Sequence, residues 1–289
     1  MRHRCRRLLL LFAAALLLPA CSAIRLGYGN ADSLARWWMD QYLDFTPEQD
    51  ALVRERVLRF HAWHRQSQLR DYAGLLQDAS KLVAARPGAA DTLALSDGII
   101  RRVRVLADKA IPDTADLLAT LAPAQIDRMA TRLAVKNADH AKEARLAEGE
   151  IGQRKAREKR LLERAEFWFG GFSDEQEAAI RRLIGAQPTG SQFWYEERLR
   201  RQREWLDLAR RVQREQPPRA TVVAWLRDYA DGFDLPADPV RRGQALALRR
   251  ASAELAVAVH ALTTGAQREH ALNKFEDLIR ELTELAQEG

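Results

Sequence analysis

Apolar residues recur every three or four positions along almost the whole chain after residue 30, with charged residues between them. This spacing is typical of amphipathic helices. No run of alternating β-branched residues bounded by turn residues interrupts it, as a sheet would require. The sequence therefore predicts an all-α fold of many helices. We expect them at about residues 32–44, 46–66, 69–85, 91–108, 112–121, 123–168, 174–186, 192–215, 218–231, 238–262 and 265–287.

The first twenty residues have a different pattern. Four arginines and no acid stand in residues 1–7, and an apolar run of eleven residues fills 8–18. Eleven apolar residues are about half of what a helix needs to cross a bilayer, so residues 1–20 are predicted to be a signal peptide. The segment Leu18-Pro19-Ala20-Cys21 resembles the lipobox of bacterial lipoproteins. In that family the cysteine thiol is alkylated with diacylglycerol, the chain is cut before the cysteine, and the new amino terminus is acylated.

The lipobox resemblance implies an anchor and a location. Three acyl chains on Cys21 would exceed the two signals that stable membrane anchoring needs. Ser22 follows the cysteine where an aspartate would signal retention, which by the sorting rule of that family implies the outer membrane of a Gram-negative cell, facing the periplasm. Residues 21–30 are then expected to form a lipidated tether. An ordinary secretory signal with an incidental cysteine is the alternative interpretation.

Removal of the signal peptide changes the charge balance. The whole chain carries 46 Lys and Arg against 40 Asp and Glu, a net charge of +6. The signal peptide holds four of the arginines and no acid, so the mature chain keeps 42 against 40, a net charge of +2. A nearly neutral chain in a compartment without DNA argues against nucleic-acid binding. Only Cys21 remains after cleavage, so we expect no disulfide and a fold that packing stabilises.

Four predicted helices begin with nearly the same residues. The segments are Phe45-Thr46-Pro47-Glu48-Gln49, Leu121-Ala122-Pro123-Ala124-Gln125, Phe172-Ser173-Asp174-Glu175-Gln176 and Leu262-Thr263-Thr264-Gly265-Ala266-Gln267. A Thr or Ser at the N-cap accepts a hydrogen bond from an unpaired amide, and Gln three positions later can bond back to the cap's own N–H. Ala122 has no side-chain oxygen, so the second copy is an incomplete cap.

The spacing of these helix starts indicates an internal repeat. The two copies that follow a phenylalanine are 127 residues apart (172 minus 45), and the two with Ala-Gln are 142 apart (267 minus 125). We therefore expect two tandem helical halves, residues 31–140 and 167–289. Residues 141–166 between them are dense in charge of both signs, which favours a solvent-exposed connecting helix over a basic binding surface.

Two family resemblances follow from these residues. From the lipobox through Trp37-Trp38, residues 42–49 and residues 61–65, the chain resembles an uncharacterised family of proteobacterial lipoproteins, a domain of unknown function. That resemblance implies an envelope location and a helical fold but no activity. The Thr-x-x-Gln helix starts are similar to the Leu-Thr-x-x-Gln motif of the small periplasmic chaperones Spy and CpxP. This second resemblance implies an all-helical protein that holds unfolding clients.

Chemistry-bearing motifs are scarce. His61 and His64 lie three positions apart, on one face of a predicted helix, and Glu55 or Asp71 could join them at a metal ion. Two histidines without a closely spaced third ligand are a poor zinc signature, so a packed or surface pair is the favoured interpretation. The sequence contains no Gly-x-Ser-x-Gly, phosphate-binding glycine loop or His-Glu-x-x-His. We expect no catalytic residues, no metal and no cofactor.

The seven tryptophans are the candidates for binding. The adjacent Trp37 and Trp38 point about 100° apart on a helix, so one is expected in the core and the other at the membrane interface or a partner. Trp194, Tyr195 and Trp205 are the candidates in the second half. These features predict an outer-membrane-anchored binding or chaperone-like protein whose partner is an envelope protein or an unfolded client. The alternative is a helical enzyme, or enzyme accessory, acting on cell-wall or lipid substrates near the two histidines.

Overall fold

The structure is a computed structural model that describes residues 20–288, and all regular elements in this range are helices. The all-α prediction is confirmed. Residues 1–19 of the predicted signal peptide and the side chain of Cys21 lie outside the described part. The helices are α1 (Ala20–Gly29), α2 (Ala31–Leu43), α3 (Pro47–Ser67), α4 (Leu69–Ala84), α5 (Ala89–Leu118), α6 (Pro123–Glu143), α7 (Gly149–Phe169), α8 (Asp174–Gly185), α9 (Ser191–Glu215), α10 (Arg219–Asp231), α11 (Pro239–Leu262) and α12 (Gly265–Leu285).

The segment predicted as a tether, residues 21–30, is helical over almost its whole length. Ten residues of helix span about 15 Å, half of what the same chain would span when extended. Arg25 of α1 forms ion pairs with Glu281, Glu284 and Glu288 at the end of the chain, at 3.4 Å for Glu281 and 3.3 Å for Glu288. The start of the described chain is therefore fixed to the helical body.

The two helices expected at residues 91–108 and 112–121 are instead the single helix α5, which ends at Leu118. Pro112 lies inside it. A proline removes one helical hydrogen bond and normally kinks or ends a helix. Here Ile111 and Ala115 beside it are buried in the main core, and this packing outweighs the local preference.

The long helix expected over residues 123–168 is instead divided into α6 and α7. Arg145, with φ 52°, and Gly149, with φ 66°, adopt left-handed backbone on either side of a short 3₁₀ turn, Leu146–Glu148. The connecting helix expected over residues 141–166 is therefore interrupted by this turn. Helix α7 is part of the packed body, since four of its residues are buried: Gly152, Gln153, Ala156 and Leu162.

The two predicted halves are interleaved. Helix α4, which follows the first motif helix α3, packs along α12 of the other half. Helix α9 follows the third motif helix α8 in the same way and packs along α6. Helices α5 and α11 lie against each other. The main core consequently contains Leu43 and Ile126 from the first half beside Val212 and Val222 from the second.

Candidate functional site

The four helix starts meet in two pairs, and each pair is joined by two glutamines. Gln49 Nε2 donates to Gln125 Oε1 at 3.1 Å, and Gln125 Nε2 donates back to Gln49 Oε1 at 2.7 Å. Gln176 and Gln267 make the same two bonds at 2.9 and 3.1 Å. The complete capping boxes predicted at three starts are present, and they lie at Thr46, Ser173 and Thr264. The repeated motif thus builds the same local structure twice.

Each of these glutamine amides is fully used by the fold. Its oxygen also accepts from the N–H of its own cap residue. Its second N–H donates to a carbonyl beside the paired helix start. The acceptors are Thr120 O for Gln49 at 2.9 Å, Leu43 O for Gln125 at 3.0 Å, Leu262 O for Gln176 at 2.8 Å and Gly171 O for Gln267 at 2.8 Å. These side chains position helices and offer no hydrogen-bonding group to a partner.

A cavity of about 660 Å³, which we name the first cavity, opens between α2, α5, α6, α9 and α10. Pockets that hold small molecules range over roughly 300–1,000 Å³. Most of the lining is aliphatic or aromatic. It consists of Trp38, Met39, Tyr42, Leu43, Thr114, Leu117, Leu118, Leu121, Met129, Leu133, Arg198, Arg201, Gln202, Trp205, Tyr229 and Phe233.

Aromatic rings form the rim of the first cavity. Trp38 is 57% exposed and Phe233 is 43% exposed, although both line the cavity. The Trp38 ring lies 4.8 Å from the ring of Tyr42. Leu118, which is 3% exposed, and the buried Met129 lie at the bottom. The cavity therefore has an apolar interior and an accessible aromatic edge, as expected of a site that takes up apolar groups.

Four neutral polar side chains of the lining form hydrogen bonds within the protein. The bonds run from Tyr229 Oη to Arg201 O at 3.2 Å, from Trp205 Nε1 to Met129 Sδ at 3.4 Å, from Thr114 Oγ1 to Ala110 O at 2.9 Å and from Asn137 Nδ2 to Gln202 Oε1 at 2.6 Å. Burial raises the pKa of Tyr229 to about 12, so its hydroxyl stays neutral. The arginines are therefore the only charged groups that line the first cavity within residues 20–288.

Arg201 is half-buried and forms no salt bridge with any residue that the structure describes. Its Nε is buried and has no hydrogen-bond partner, and its guanidinium lies 4.5 Å from the ring centroid of Phe233. Burial lowers the pKa of Arg201, and the charge of Arg200 acts in the same direction. Arg198 Nε donates to Asn137 Oδ1 at 2.7 Å. Neither cavity arginine forms a salt bridge with any carboxylate in the described range.

The carboxylates whose charges act on this guanidinium already have other partners. Glu197 is fully buried and accepts from Arg200 Nε at 2.8 Å and from Arg241 Nε at 2.7 Å. Asp234 is paired with Arg249. Glu197 and Asp234 are therefore already neutralised by other arginines and form no ion pair with the arginines of the cavity.

A second cavity of about 430 Å³ occupies the equivalent place in the other half. Several of its lining residues, from α7, α11 and α12, lie at the same offsets as the helix starts. Ala165 and Phe169 are 127 positions after Trp38 and Tyr42, while Ala256, Val259, His260 and Phe275 are 142 positions after Thr114, Leu117, Leu118 and Leu133. The two halves thus build their cavities from corresponding positions.

The two cavities differ most on the side formed by α9 or α4. Helix α9 presents Arg198, Arg201 and Gln202 to the first cavity, whereas α4 presents Ala79, Leu82 and Val83, at the same spacing, to the second. The second cavity has its arginines on α7 instead, where Arg157 donates to Pro188 O at 2.6 Å and Arg164 is exposed. Arginines on the side formed by α9 are thus a feature of the first cavity, and the corresponding side of the second, formed by α4, is apolar.

Comparison with known proteins gives a family without an assigned function. The family of unknown function DUF6279 matches residues 41–230. The chain belongs to the DUF6279 family. The matched range includes the first three helix starts and most of the first cavity, and it ends before α11 and α12. No curated protein and no solved structure matches the chain.

Two of the five aromatic residues predicted to bind a partner come together in this DUF6279 chain, since Trp38 and Trp205 both line the first cavity. Trp37 does not line it and is 61% exposed. The expectation that either Trp37 or Trp38 lies in the core is wrong. Helix α2 packs on the core only through the narrow stripe of Met39, Tyr42 and Leu43. The side chains of Trp37 and Trp38 both lie outside this stripe.

The remaining aromatic candidates lie elsewhere on α9. The Trp194 ring contacts that of Phe193, with centroids 5.0 Å apart. Tyr195 stacks on His140 at 6.1 Å. Neither lines the first cavity. These side chains are half-buried packing residues in the described structure.

The histidine pair of the DUF6279 chain belongs to an aromatic cluster. His64 Nδ1 lies 2.8 Å from Tyr28 Oη, and the ring of His61 lies 4.7 Å from that of Tyr28. Burial lowers the pKa of His64, and the charge of His61 lowers it further. Residues 20–288 contain no group of three or more His, Cys, Asp and Glu side chains that could hold a metal ion. In the same range, no helix is long and apolar enough to cross a membrane.

The arginines of the site were not predicted from the sequence. Arg198 and Arg201 continue the apolar stripe of Trp205, Leu208 and Val212 along α9 at helical spacing. Basic residues within the apolar stripe of a helix were the available signal, because such residues face the interior.

Proposed function

We propose that this protein is an envelope lipoprotein whose helical body holds the apolar part of a ligand in the first cavity. The observation that carries the proposal is an apolar cavity of about 660 Å³ with an exposed aromatic rim and two arginines. A well-formed apolar pocket with a few convergent polar groups is the usual form of a small-molecule site. The Gln49–Gln125 pair supports the rigidity of this site, because it fixes the start of α6, one of the helices that line the cavity.

The proposed anchor is a lipid on Cys21, which tethers the body to the outer membrane on its periplasmic side. Labelling of cells with palmitate is expected to tag the wild-type protein. Cys21→Ser is expected to abolish the label and to leave an uncleaved precursor. Absence of label in the wild type, or a mature amino terminus other than residue 21, would remove the anchor from the proposal.

Binding is tested with the uncharged dye N-phenyl-1-naphthylamine, whose fluorescence rises in apolar surroundings. The protein is the mature chain from residue 22, which contains all helices that line either cavity. Leu133→Phe places in the first cavity the residue that the second cavity has at the corresponding position. The added ring occupies ligand space, so the dye affinity is expected to fall about tenfold or more.

The matched control adds volume to the other cavity. Val259→Leu introduces into the second cavity the residue that the first has at position 117. This change is expected to leave the dye affinity unaltered. No dye binding by the wild type, or an equal loss in both variants, would overturn the proposed site.

Chaperone-like holding of an unfolded client is the second candidate function. The exposed apolar face of α2, with Leu34 and Trp37, favours it. The test is suppression of light scattering from an aggregating client at substoichiometric and equimolar ratios. A chaperone would lose suppression on the double change Leu34→Ser and Trp37→Ser. No suppression by the wild type would remove this candidate.

A further inference from the structure

We infer that the first cavity takes a single-chain amphiphile whose anionic head group, a carboxylate or a phosphate, is bound by Arg198 and Arg201. This inference rests on the proposed function, since it names the ligand class of the same cavity.

The first step is the charge of Arg201. A buried cation without a partner is unfavourable, because it loses hydration and gains no compensating interaction. Arg201 approaches this state, because its side chain is half-buried, its Nε is buried and unbonded, and the nearby Glu197 and Asp234 pair with other arginines. A carboxylate or phosphate on the ligand would supply the missing partner, because guanidinium groups bind both anions through paired hydrogen bonds.

The second step is the position of Arg198. Its Nε donates to Asn137, which in turn donates to Gln202. This short network fixes the arginine three residues before Arg201, on the same face of α9. Its two terminal nitrogens make no hydrogen bond to any residue in the described range. Two cationic groups therefore stand side by side at one side of an otherwise apolar cavity.

The third step concerns the body of the ligand. Tyr229, Trp205 and Thr114 donate their hydrogens within the protein, so the lining offers no neutral donor from these side chains. A peptide in the cavity would bring one backbone donor and one acceptor with each residue, more than the few remaining polar groups of the lining can pair, which is costly. A hydrocarbon chain makes no such demand and gains free energy by leaving water. The aromatic rim at Trp38 is a suitable entrance for such a chain.

The fourth step is the contrast with the second cavity. Where α9 has Arg198 and Arg201, α4 has Ala79 and Leu82. The α4 side of the second cavity therefore has no cationic residue. Arg201→Leu makes the α9 side of the first cavity more like that apolar side, and it is the natural test variant.

The experiment measures displacement of N-phenyl-1-naphthylamine from the mature chain, below the micelle concentration of each competitor. Three competitors share one chain length and differ in head group: dodecanoate, dodecyl phosphate and dodecanol. The two anionic amphiphiles are expected to displace the dye at concentrations about tenfold lower than dodecanol does. Acetate and inorganic phosphate, which have the head group alone, are expected to displace no dye at those concentrations.

Arg201→Leu is expected to abolish the preference for the anionic amphiphiles while the dye still binds. The control is Arg203→Leu on the same helix, whose side chain is exposed and lies outside the cavity lining. It is expected to keep the wild-type preference. Circular dichroism checks the fold of each variant, and Arg201→Gln together with Arg198→Gln replaces the leucine variant if that variant does not fold.

The outcomes separate this inference from the proposed function. Equal displacement by all three amphiphiles, with dye binding intact, would overturn the anionic head group and leave the cavity as the binding site. Displacement by acetate or inorganic phosphate alone would overturn the amphiphile in favour of a free anion. A wild-type chain that binds no dye would overturn the proposed function itself.

Discussion

The first and second cavities stand at corresponding places in the two halves, yet they contain different chemistry. At corresponding positions the first has Trp38 and Leu133, and the second has Ala165 and Phe275. Phe275 is buried and stacks on Trp168 at 4.6 Å, which fills part of the second cavity. The same helical framework, in which glutamine pairs fix the helix starts, therefore forms two different cavities: the first is more open, and the second is partly filled by side chains. The difference lies in a few side chains.

The largest expected effect comes from the buried ion pairs that join the two cavities. Glu197 lies on α9, beside the first cavity, and accepts from Arg241 on α11, the helix that lines the second. Glu197→Ala leaves two arginines without their buried partner and is expected to lower the free energy of unfolding by about 3–5 kcal/mol. Chemical denaturation measures this loss.

The matched control is the neighbouring carboxylate. Glu196 also pairs with Arg241, at 3.2 Å, but is exposed. Glu196→Ala is expected to cost at most about 1 kcal/mol. Equal losses in the two variants would show that Glu197 does not hold α9 against α11.

An exchange of residues between the cavities is expected to have the next largest effect. Phe275→Leu removes a stacked ring from the filled cavity and is expected to cost about 1–2 kcal/mol. Leu133→Phe adds a ring to a cavity that has space for it. It is therefore expected to lower the free energy of unfolding by less than about 0.5 kcal/mol, well under the loss seen when a larger side chain is forced into a fully packed core. If Leu133→Phe costs as much as Phe275→Leu in chemical denaturation, the first cavity is not open and the contrast fails.

The helix starts offer a smaller, symmetric test. Thr264 caps α12, whereas Ala122 stands at the corresponding start of α6 without a capping oxygen. Thr264→Ala is expected to lower the unfolding free energy by about 1 kcal/mol, and Ala122→Ser to raise it by about 0.5–1 kcal/mol. The control Ala124→Ser, in the first turn of α6, is expected to give no gain. A loss on Ala122→Ser in thermal or chemical unfolding would contradict the equivalence of these starts.

Sequence reasoning succeeded where a feature depends on neighbouring residues. The capping boxes at Thr46, Ser173 and Thr264 need only four contiguous residues, and all three were predicted. It failed where distant packing decides. Pro112 is tolerated because the core buries both sides of it, and no local signal shows that.

The binding site was only partly predictable for the same reason. Trp38 and Trp205 were singled out as aromatic residues, but their meeting requires α9 to cross into the first half. The surroundings of Arg201 include Phe233, which follows the next helix, α10. They also depend on the ion pairs that neutralise Glu197 and Asp234. Contacts between charged residues that are far apart in the sequence produce no recognisable pattern in a short stretch of it.

The smallest expected effect is a pH dependence of stability. Burial is the main cause that lowers the pKa values of both His64 and His140 below the usual 6.5. The unfolded chain therefore binds more protons just below pH 6.5, so the stability present above that pH is lost as the pH falls. Replacement of His64 by Phe is expected to reduce this dependence in denaturation curves recorded between pH 7 and 5.

Binding in the first cavity provides the control for the pH effect. Neither His64 nor His140 lines it, so affinity for the uncharged dye is expected to stay constant between pH 7 and 6. A dye affinity that follows the histidine titration would link the two regions and contradict their independence.

The most direct test of the account uses fluorine NMR of the mature chain labelled with 5-fluorotryptophan, with each signal assigned by a Trp→Phe variant. Saturation with N-phenyl-1-naphthylamine is expected to shift the signals of Trp38 and Trp205, which line the first cavity, and to leave those of Trp37 and Trp194 in place. Shifts of Trp37 or Trp194 while Trp38 and Trp205 stay unmoved would place the ligand elsewhere and contradict the first cavity as the binding site.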